Sequence, residues 1–327
     1  MTRSLTLTPE TWPIAGEFKI SSGSWTESHV LVAEIREGDH VGRGECEPHD
    51  DDPDYWKVCV AEIEAVRQAI ESGCTRDGLL NLLPRGPARN AIDCALFDLE
   101  AKRADKRAWE LAGVTMPQTI ETVYTISVDT PEVMAAQARE HAHRPILKLK
   151  LGDEDPVECV AAVREAAPDV RLVIDANQAW DFETLKWVAP ELRDLGVRLI
   201  EQPLPVAGDE ALEDYRSPVP LCADEGCLDR SSLPDVIGKY DFVNIKLDKT
   251  GGLTEALLLA DAARDTGLRL MVGCMVGTSL AMAPAMIVAA AAEVVDLDGP
   301  LLLARDREPG LVFDGSLIRQ PTAAVWG

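Results

Sequence analysis

The spacing of hydrophobic and polar positions changes twice along the chain. Residues 5–46 carry short β-rich runs, LTL at 5–7, EFKI at 17–20, HVLVAEIR at 29–36 and VGRGEC at 41–46. These predict strands, and Glu37-Gly38-Asp39 between the last two predicts a hairpin. The polar stretch 21–26 (SSGSWT) and the acidic, proline-broken stretch 49–55 (HDDDPDY) read as loops, either plain surface connections or lids. At 57–72 and 87–104 apolar residues recur every three or four positions, which predicts helices, the second opening on Pro87. A small α+β unit is therefore expected to end near 113–117.

Beyond it, short β-branched segments alternate with helical ones. The strand-like segments are 122–127, 146–150, 171–177, 198–203, 221–225, 242–248, 268–274 and 294–298. Helical runs such as 131–142, 155–167, 183–195 and 254–266 lie between them. Eight strands separated by helices predict a (β/α)8-type barrel. A doubly wound sheet is the weaker alternative, because no strand-to-helix turn carries GxGxxG and Gly251-Gly252 alone reads as a tight turn.

The segment 146–150, ILKLK, sets a puzzle. Alternation puts Lys148 and Lys150 on one strand face, and two ammonium groups side by side point, taken alone, to a solvated edge strand. The other strand ends reverse that reading. Thr125, Asp175, Asn177, Glu201, Asp224, Glu225, Lys246, Cys274, Asp296 and Asp298 all fall at or just past the C-terminal ends of their segments, the face that carries active sites in such barrels. Asp175, Glu201 and Asp224 would converge there. Three close carboxylates repel unless something positive lies among them, and an oxygen-only set favours Mg2+ or a similar hard cation; the plainer alternative is pairing with neighbouring lysines. Lys148 and Lys150 would lie on one side of that cation and Lys246 on the other. A nearby cation and a second ammonium favour the neutral amine, so lowered lysine pKa values are expected. Two bases facing each other across a metal-bound carboxylate describe a 1,1-proton transfer through an enediolate, that is, racemisation or epimerisation.

Composition narrows the setting. With 327 residues, 46% of them hydrophobic, a sizeable core is affordable, and a net charge of −24 without a basic cluster argues against nucleic acid and anionic membrane as partners. Eight cysteines without a CxxC pair argue against a disulfide framework or zinc ribbon and suit a reducing cytoplasm. The N-terminus lacks a signal-like apolar core, and the longest apolar run, 280–292, is short for a bilayer and contains Pro284.

The motifs KLK (148–150), DANQAW (175–180), EQPLP (201–205), CADE (222–225), NIKLDKTGGLTEAL (244–257) and DLDGP (296–300), with GECEP (44–48) and ARNAIDCALFDL (88–99), resemble the enolase superfamily. The resemblance is to its muconate lactonising subgroup and, within that, to dipeptide epimerases of the L-Ala-D/L-Glu type. It implies a (β/α)7β, modified TIM barrel with an N-terminal α+β capping domain: cap at 1–116, barrel at 117–304, and a tail at 305–327 returning to the cap. It also implies one Mg2+ per subunit, replaceable by Mn2+, on Asp175, Glu201 and Asp224. Lys150 and Lys246 would be the acid/base pair, and Lys148 would lower its neighbour's pKa and touch the substrate carboxylate. Asp296 and Asp298 would hold the dipeptide's α-ammonium; their plainer alternative is a capping or turn role. Thr125, Cys274 and Met275 resemble substrate contacts, with Asn177 and Glu225 behind the metal ligands. A homo-oligomer is expected.

Relatives acting on Glu dipeptides often place an Arg on the first capping loop. Here that loop offers Ser22 and Trp25 as specificity positions, and Lys19 substitutes only if it points inward. A dipeptide with an apolar or aromatic second residue follows as an expectation. An o-succinylbenzoate synthase or N-acylamino acid racemase would share the lysines and metal but need no strand-eight ammonium site, which also disfavours a muconate cycloisomerase. A mandelate racemase-like member would need a histidine on strand seven, where Gly273-Cys274 stand. A non-catalytic metal-binding protein is the alternative of another class.

Overall fold

The computed structural model of the chain describes residues 3–48, 54–152 and 154–327. Most of the expected 49–55 loop therefore lies outside the described residues. The N-terminal sheet has three antiparallel strands, β1 (Arg3–Ile20), β2 (Gly23–Glu37) and β3 (His40–Cys46), in that order. Two expectations need correction. The LTL and EFKI segments are one long strand whose register breaks between Pro13 and Phe18, and most of the 21–26 loop is strand, leaving only a tight turn at Ser21-Ser22. Alternation was masked because much of this ribbon stands out of the core with both faces partly exposed.

The helix Pro87–Ala104 packs on β3 at very short range. A Cβ on Gly44 would stand 2.1 Å from Ala91 O, and one on Gly42 would stand 2.0 Å from Ala95 O, so only glycine admits this contact.

After β4 (Thr119–Glu121) come eight parallel strands: β5 (Tyr124–Ile126), β6 (Ile146–Lys150), β7 (Arg171–Asp175), β8 (Val197–Glu201), β9 (Leu221–Ala223), β10 (Phe242–Ile245), β11 (Arg269–Val272) and β12 (Val294–Val295). They neighbour one another in chain order, and Val123 N donating to Val295 O (2.9 Å) closes the seam between first and last. Sequential order with closure excludes the doubly wound alternative. It also overturns the edge-strand reading of ILKLK, since β6 pairs with β5 and β7 and all five of its residues are buried. Two connections depart from regular helices: Val206–Leu212 is a 3-10 turn, and a four-residue helix, Leu233–Val236, precedes β10. The apolar run near 280 forms the buried helix Ser279–Ala289, and among the described residues no helix is long and apolar enough to cross a membrane. A small antiparallel sheet joins β13 (Phe313–Asp314), β14 (Leu317–Arg319) and β4.

The period of two explains what the barrel contains. Val123, Ile146, Val173, Leu199, Cys222, Phe242 and Met271 form one apolar layer inside it. Two residues further along the same segments stand Thr125, Lys148, Asp175, Glu201, Asp224, Asn244 and Gly273. The interior thus changes from apolar to ionisable in one step of the pleat.

Cap contacts fall on loops beyond the C-terminal strand ends. Ser28 Oγ donates to Val276 O, Thr278 N donates to Glu45 Oε1 (2.8 Å), and Asn90 Nδ2 donates to Asp248 Oδ1 (2.8 Å). Arg307 links buried Glu45 (2.7 Å) to Glu10 (2.6 Å). At the C-terminus, Trp326 is buried against Phe97 and its Nε1 donates to Arg43 O (2.9 Å). Trp326→Ala should lower unfolding stability by about 3–5 kcal/mol. Urea denaturation followed by circular dichroism checks this, and an unchanged midpoint would mean the tail contributes little.

Candidate active site

Barrel topology sets the arrangement of the charged groups. Around the rim stand Lys150 on β6, Asp175 on β7, Glu201 on β8, Asp224 just after β9, Lys246 just after β10, Cys274 after β11, Asp296 and Asp298 after β12, and Thr125 on β5. The strands carrying Lys150 and Lys246 are four apart in a ring of eight, so the two amines approach from opposite walls. The three carboxylates fill the sector between them on one side; Asp296 and Asp298 belong to the other.

Lys148, 1% exposed, sits within this ring. Its Nζ lies 2.6 Å from Asp296, 2.7 Å from Glu201 and 3.1 Å from Asp175. Lys150 donates to Asp175 Oδ2 (2.6 Å) and Asn177 Oδ1 (3.0 Å), and Lys246 donates to Asp224 Oδ2 (2.6 Å). The sequence-derived site residues are therefore brought together. All of them line, or lie directly behind, one cavity of about 350 Å3 roofed by Ile14, Phe18, Ile20 and Trp25 of the cap. Lys19 is outside it, paired with Glu17 (3.1 Å) and Asp129 (3.7 Å).

Among the protein's own groups, hydrogen-bonded carboxylates outweigh burial at two of the lysines. Burial works against the charge on Lys148, yet Asp296, Glu201 and Asp175 carry it well above the usual amine range. Lys246 is likewise raised, burial being outweighed by Asp224 and Glu201. The expected lowering belongs to the site with a divalent cation on those carboxylates, which would compete with the ammonium groups for them. The carboxylates respond in different directions. Burial opposes ionisation of Asp175 and Asp224, but Lys150 and Lys148 in the first case, Lys246 and Lys249 in the second, hold both below the usual range. Glu201, buried and beside Asp175, is pushed up to about 8. Asp298 is raised to about 7 by burial and by Asp296, although Thr125 N donates to it (2.6 Å).

Several functional neighbours escaped the sequence reading. Lys249 donates to Asp224 Oδ1 (2.5 Å) and to Asn244 O (2.9 Å). Asn244 Nδ2 donates to Glu201 Oε1 (2.6 Å), and it fits because residue 273 is glycine: a Cβ there would stand 2.7 Å from Asn244 Oδ1. Asn244 was findable, since it lies two residues before Lys246 and therefore on the same face. Gln202 Oε1 accepts from Asp224 N (2.9 Å) and Gly226 N (3.0 Å), and its Nε2 donates to Leu204 O (3.0 Å) and Tyr240 Oη (3.0 Å). Tyr240 in turn donates to Asp209 (3.0 Å), which Lys239 also meets (2.5 Å). Non-glycine residues with left-handed backbone cluster here too: Asn177 (φ 43°), Gln178 (φ 66°) and Gln202 (φ 32°) follow two of the carboxylates.

Two donor sets compete as a cation site. Cys274, Asp296 and Asp298 offer ligating atoms within 4.8 Å of one another, a closeness not found for Asp175, Glu201 and Asp224 among the described residues. Ammonium groups are seated on all three members of that second set. The chemistry nevertheless favours the second set. The Cys274 thiol, held protonated by burial and by Asp296 and Asp298, is a poor partner for a hard cation. Asp175, Glu201 and Asp224 offer carboxylate oxygens only, the donor type a hard divalent ion prefers, and buried Glu201 Oε2 is met by the Lys148 ammonium (2.7 Å) without a well-formed hydrogen bond.

Residues 2–113 match the mandelate racemase/muconate lactonizing enzyme N-terminal domain, and residues 133–316 match the enolase C-terminal domain-like family. The chain is 44% identical to the L-Ala-D/L-Glu epimerase of Escherichia coli K12, covering 95% of this chain and 98% of that one. An enolase family member from Agrobacterium tumefaciens, solved with sodium and L-Ala-L-Glu, is 46% identical with a TM-score of 0.95 over 99% of this chain and 100% of that one. A dipeptide epimerase from Enterococcus faecalis, solved with Mg and L-Leu-L-Tyr, is 27% identical with a TM-score of 0.89, covering 98% of each chain. By fold, rim chemistry and similarity along its length, this chain belongs to the mandelate racemase/muconate lactonizing enzyme family of enolase-like proteins.

Proposed function

We propose that this chain is a magnesium-dependent dipeptide epimerase that inverts the α-carbon of the C-terminal residue by two-base proton transfer. The observation that carries this reading is the opposition of Lys150 and Lys246 across a rim whose two remaining sectors are both acidic but differ in kind. The Asp175–Glu201–Asp224 sector suits a divalent ion and, through it, the substrate carboxylate. Asp296 and Asp298 suit an ammonium group, since two carboxylates give a cation charge-assisted hydrogen bonds. A dipeptide carries both groups, and spanning them places its second α-carbon between the lysines. A substrate acylated on nitrogen has no ammonium for Asp296 and Asp298, which favours a free dipeptide over the o-succinylbenzoate synthase reading; an N-acylamino acid racemase is the second reading, since the chain is also 44% identical over 76% of its length to an N-acetyl-D-glutamate racemase of a Pseudoalteromonas species.

Asp175, Glu201 and Asp224 would hold Mg2+, which when bound would supply positive charge that stabilises an enediolate. The chain's own groups do the rest. One lysine, as the neutral amine, takes the α-proton and becomes ammonium; the C–H electron pair moves into the substrate carboxylate. The other lysine, starting as ammonium, returns a proton to the opposite face and ends neutral. Lys148 stays cationic among Asp175, Glu201 and Asp296, where it offsets the excess negative charge beside the substrate carboxylate. Gln202 fixes Asp224 through its backbone N–H, and Asn244 fixes Glu201, so both carboxylates are aimed before an ion arrives.

Lys150→Ala and Lys246→Ala should each lower epimerisation by a factor of about 100 to 10,000. Each variant should still exchange the α-proton of the one stereoisomer that faces its surviving amine, read by mass spectrometry in deuterated water. Wild-type epimerisation in both would exclude the two-base assignment. Gln202→Leu should weaken Mg2+ binding about 10–100-fold by isothermal titration calorimetry, with Tyr240→Phe less affected. Unchanged affinity in Gln202→Leu would mean that the backbone holds Asp224 unaided.

A further inference from the structure

A dipeptide seated as proposed leaves one direction for the side chain of the epimerised residue. Its carboxylate faces the metal sector, its amide nitrogen leads toward Asp296 and Asp298, and its two α-faces meet the lysines. The side chain then points to the cap, into the space enclosed by Ile14, Phe18, Ile20 and Trp25, with Val276 and Leu302 beside them.

The charges around that space are distributed unevenly. Among the described residues, every cation lining the cavity is on the barrel side and already seated on a carboxylate: Lys148 on Asp296 (2.6 Å), Lys150 on Asp175 (2.6 Å), Lys246 on Asp224 (2.6 Å) and Lys249 on Asp224 (2.5 Å). The charged cap residues that line it are acids, Glu27 and Glu47. Arg307, one of the cations where the tail meets the cap, is occupied by Glu10 and Glu45. A substrate carboxylate entering here would lose water, meet two acids, and find no cation among the described cap residues that line the cavity. The indole of Trp25 instead presents a flat apolar surface, packed so closely over Gly23 that a Cβ there would stand 3.0 Å from the ring. Branched or aromatic side chains gain by burial against such a wall.

We infer that the residue epimerised by this chain has an uncharged apolar side chain, aromatic or branched aliphatic, and that glutamate is a poor occupant of the site. The inference rests on the dipeptide-epimerase reading and narrows it. It also departs from the glutamate dipeptides attached to relatives at 44% and 46% identity. Overall identity reports the barrel and its rim, whereas this preference is set by a few side chains at the cap hairpin.

The test is α-deuterium incorporation by the full chain with Mg2+, across L-Ala-L-X and L-Leu-L-X panels with X as Phe, Leu, Glu and Lys. Phe or Leu should exceed Glu by about 100-fold or more in kcat/KM, the scale on which a site with unpaired polar groups rejects a mismatched partner. Trp25→Arg should move the Glu/Phe ratio toward Glu by at least about tenfold, because it supplies the missing cation. Glu peptides within tenfold of the best substrate would overturn the inference and leave the epimerase reading standing. A preference for Lys would overturn it in favour of Glu27 and Glu47 as the selecting groups. Exchange on no dipeptide would remove the epimerase reading and this inference together.

Discussion

Lys148 holds three carboxylates from three different strands, Asp175, Glu201 and Asp296, and the rest of the rim depends on that contact. Buried carboxylates this close cannot all ionise unless positive charge is interleaved with them. Lys150, Lys246 and Lys249 extend the same logic outward, the first seated on Asp175 and the other two on Asp224. The barrel therefore has to be closed and sequential: only then do β6, β7, β8, β9, β10 and β12 present their end residues to one point. The apolar layer one pleat below supports this charged layer and keeps water from reaching it underneath.

Charged groups held this way are already aimed. Left-handed backbone at Asn177, Gln178 and Gln202 turns the chain immediately after Asp175 and Glu201, a conformation non-glycine residues adopt only where the surroundings hold them. Gln202 spends all its hydrogen-bonding capacity on that task, and Tyr240, Asp209 and Lys239 back it up. The chain thus places its strain and its buried polar network beside the chemistry, and the helices outside the barrel carry the apolar packing.

Much of this was legible in the sequence because period-two alternation and strand-end chemistry are local. ILKLK, VID, LIE and CAD each run from apolar to ionisable on one face, and that pattern is enough to converge the lysines and carboxylates once a barrel is assumed. The outer part of the long β1–β2 ribbon was less legible: largely exposed on both faces, it lacks a clean alternation and looked like separate strands and a loop, whereas the buried run Val30–Ala33 of β2 reads as strand. The seating of Lys148 and Lys246 on particular carboxylates was also out of reach, because it depends on contacts that span up to 148 positions, as between Lys148 and Asp296. Lys249 was missed because it lies past the strand, on the short helix Leu247–Thr250, where the alternation rule no longer applies.

The most direct test of this account is a crystal structure of the chain grown with Mg2+ and an apolar dipeptide. The account predicts the ion on Asp175, Glu201 and Asp224, the peptide ammonium at Asp296 and Asp298, and the second α-carbon within reach of both Lys150 and Lys246. An ion bound by Cys274, Asp296 and Asp298, or an α-carbon reached by one lysine alone, would contradict it.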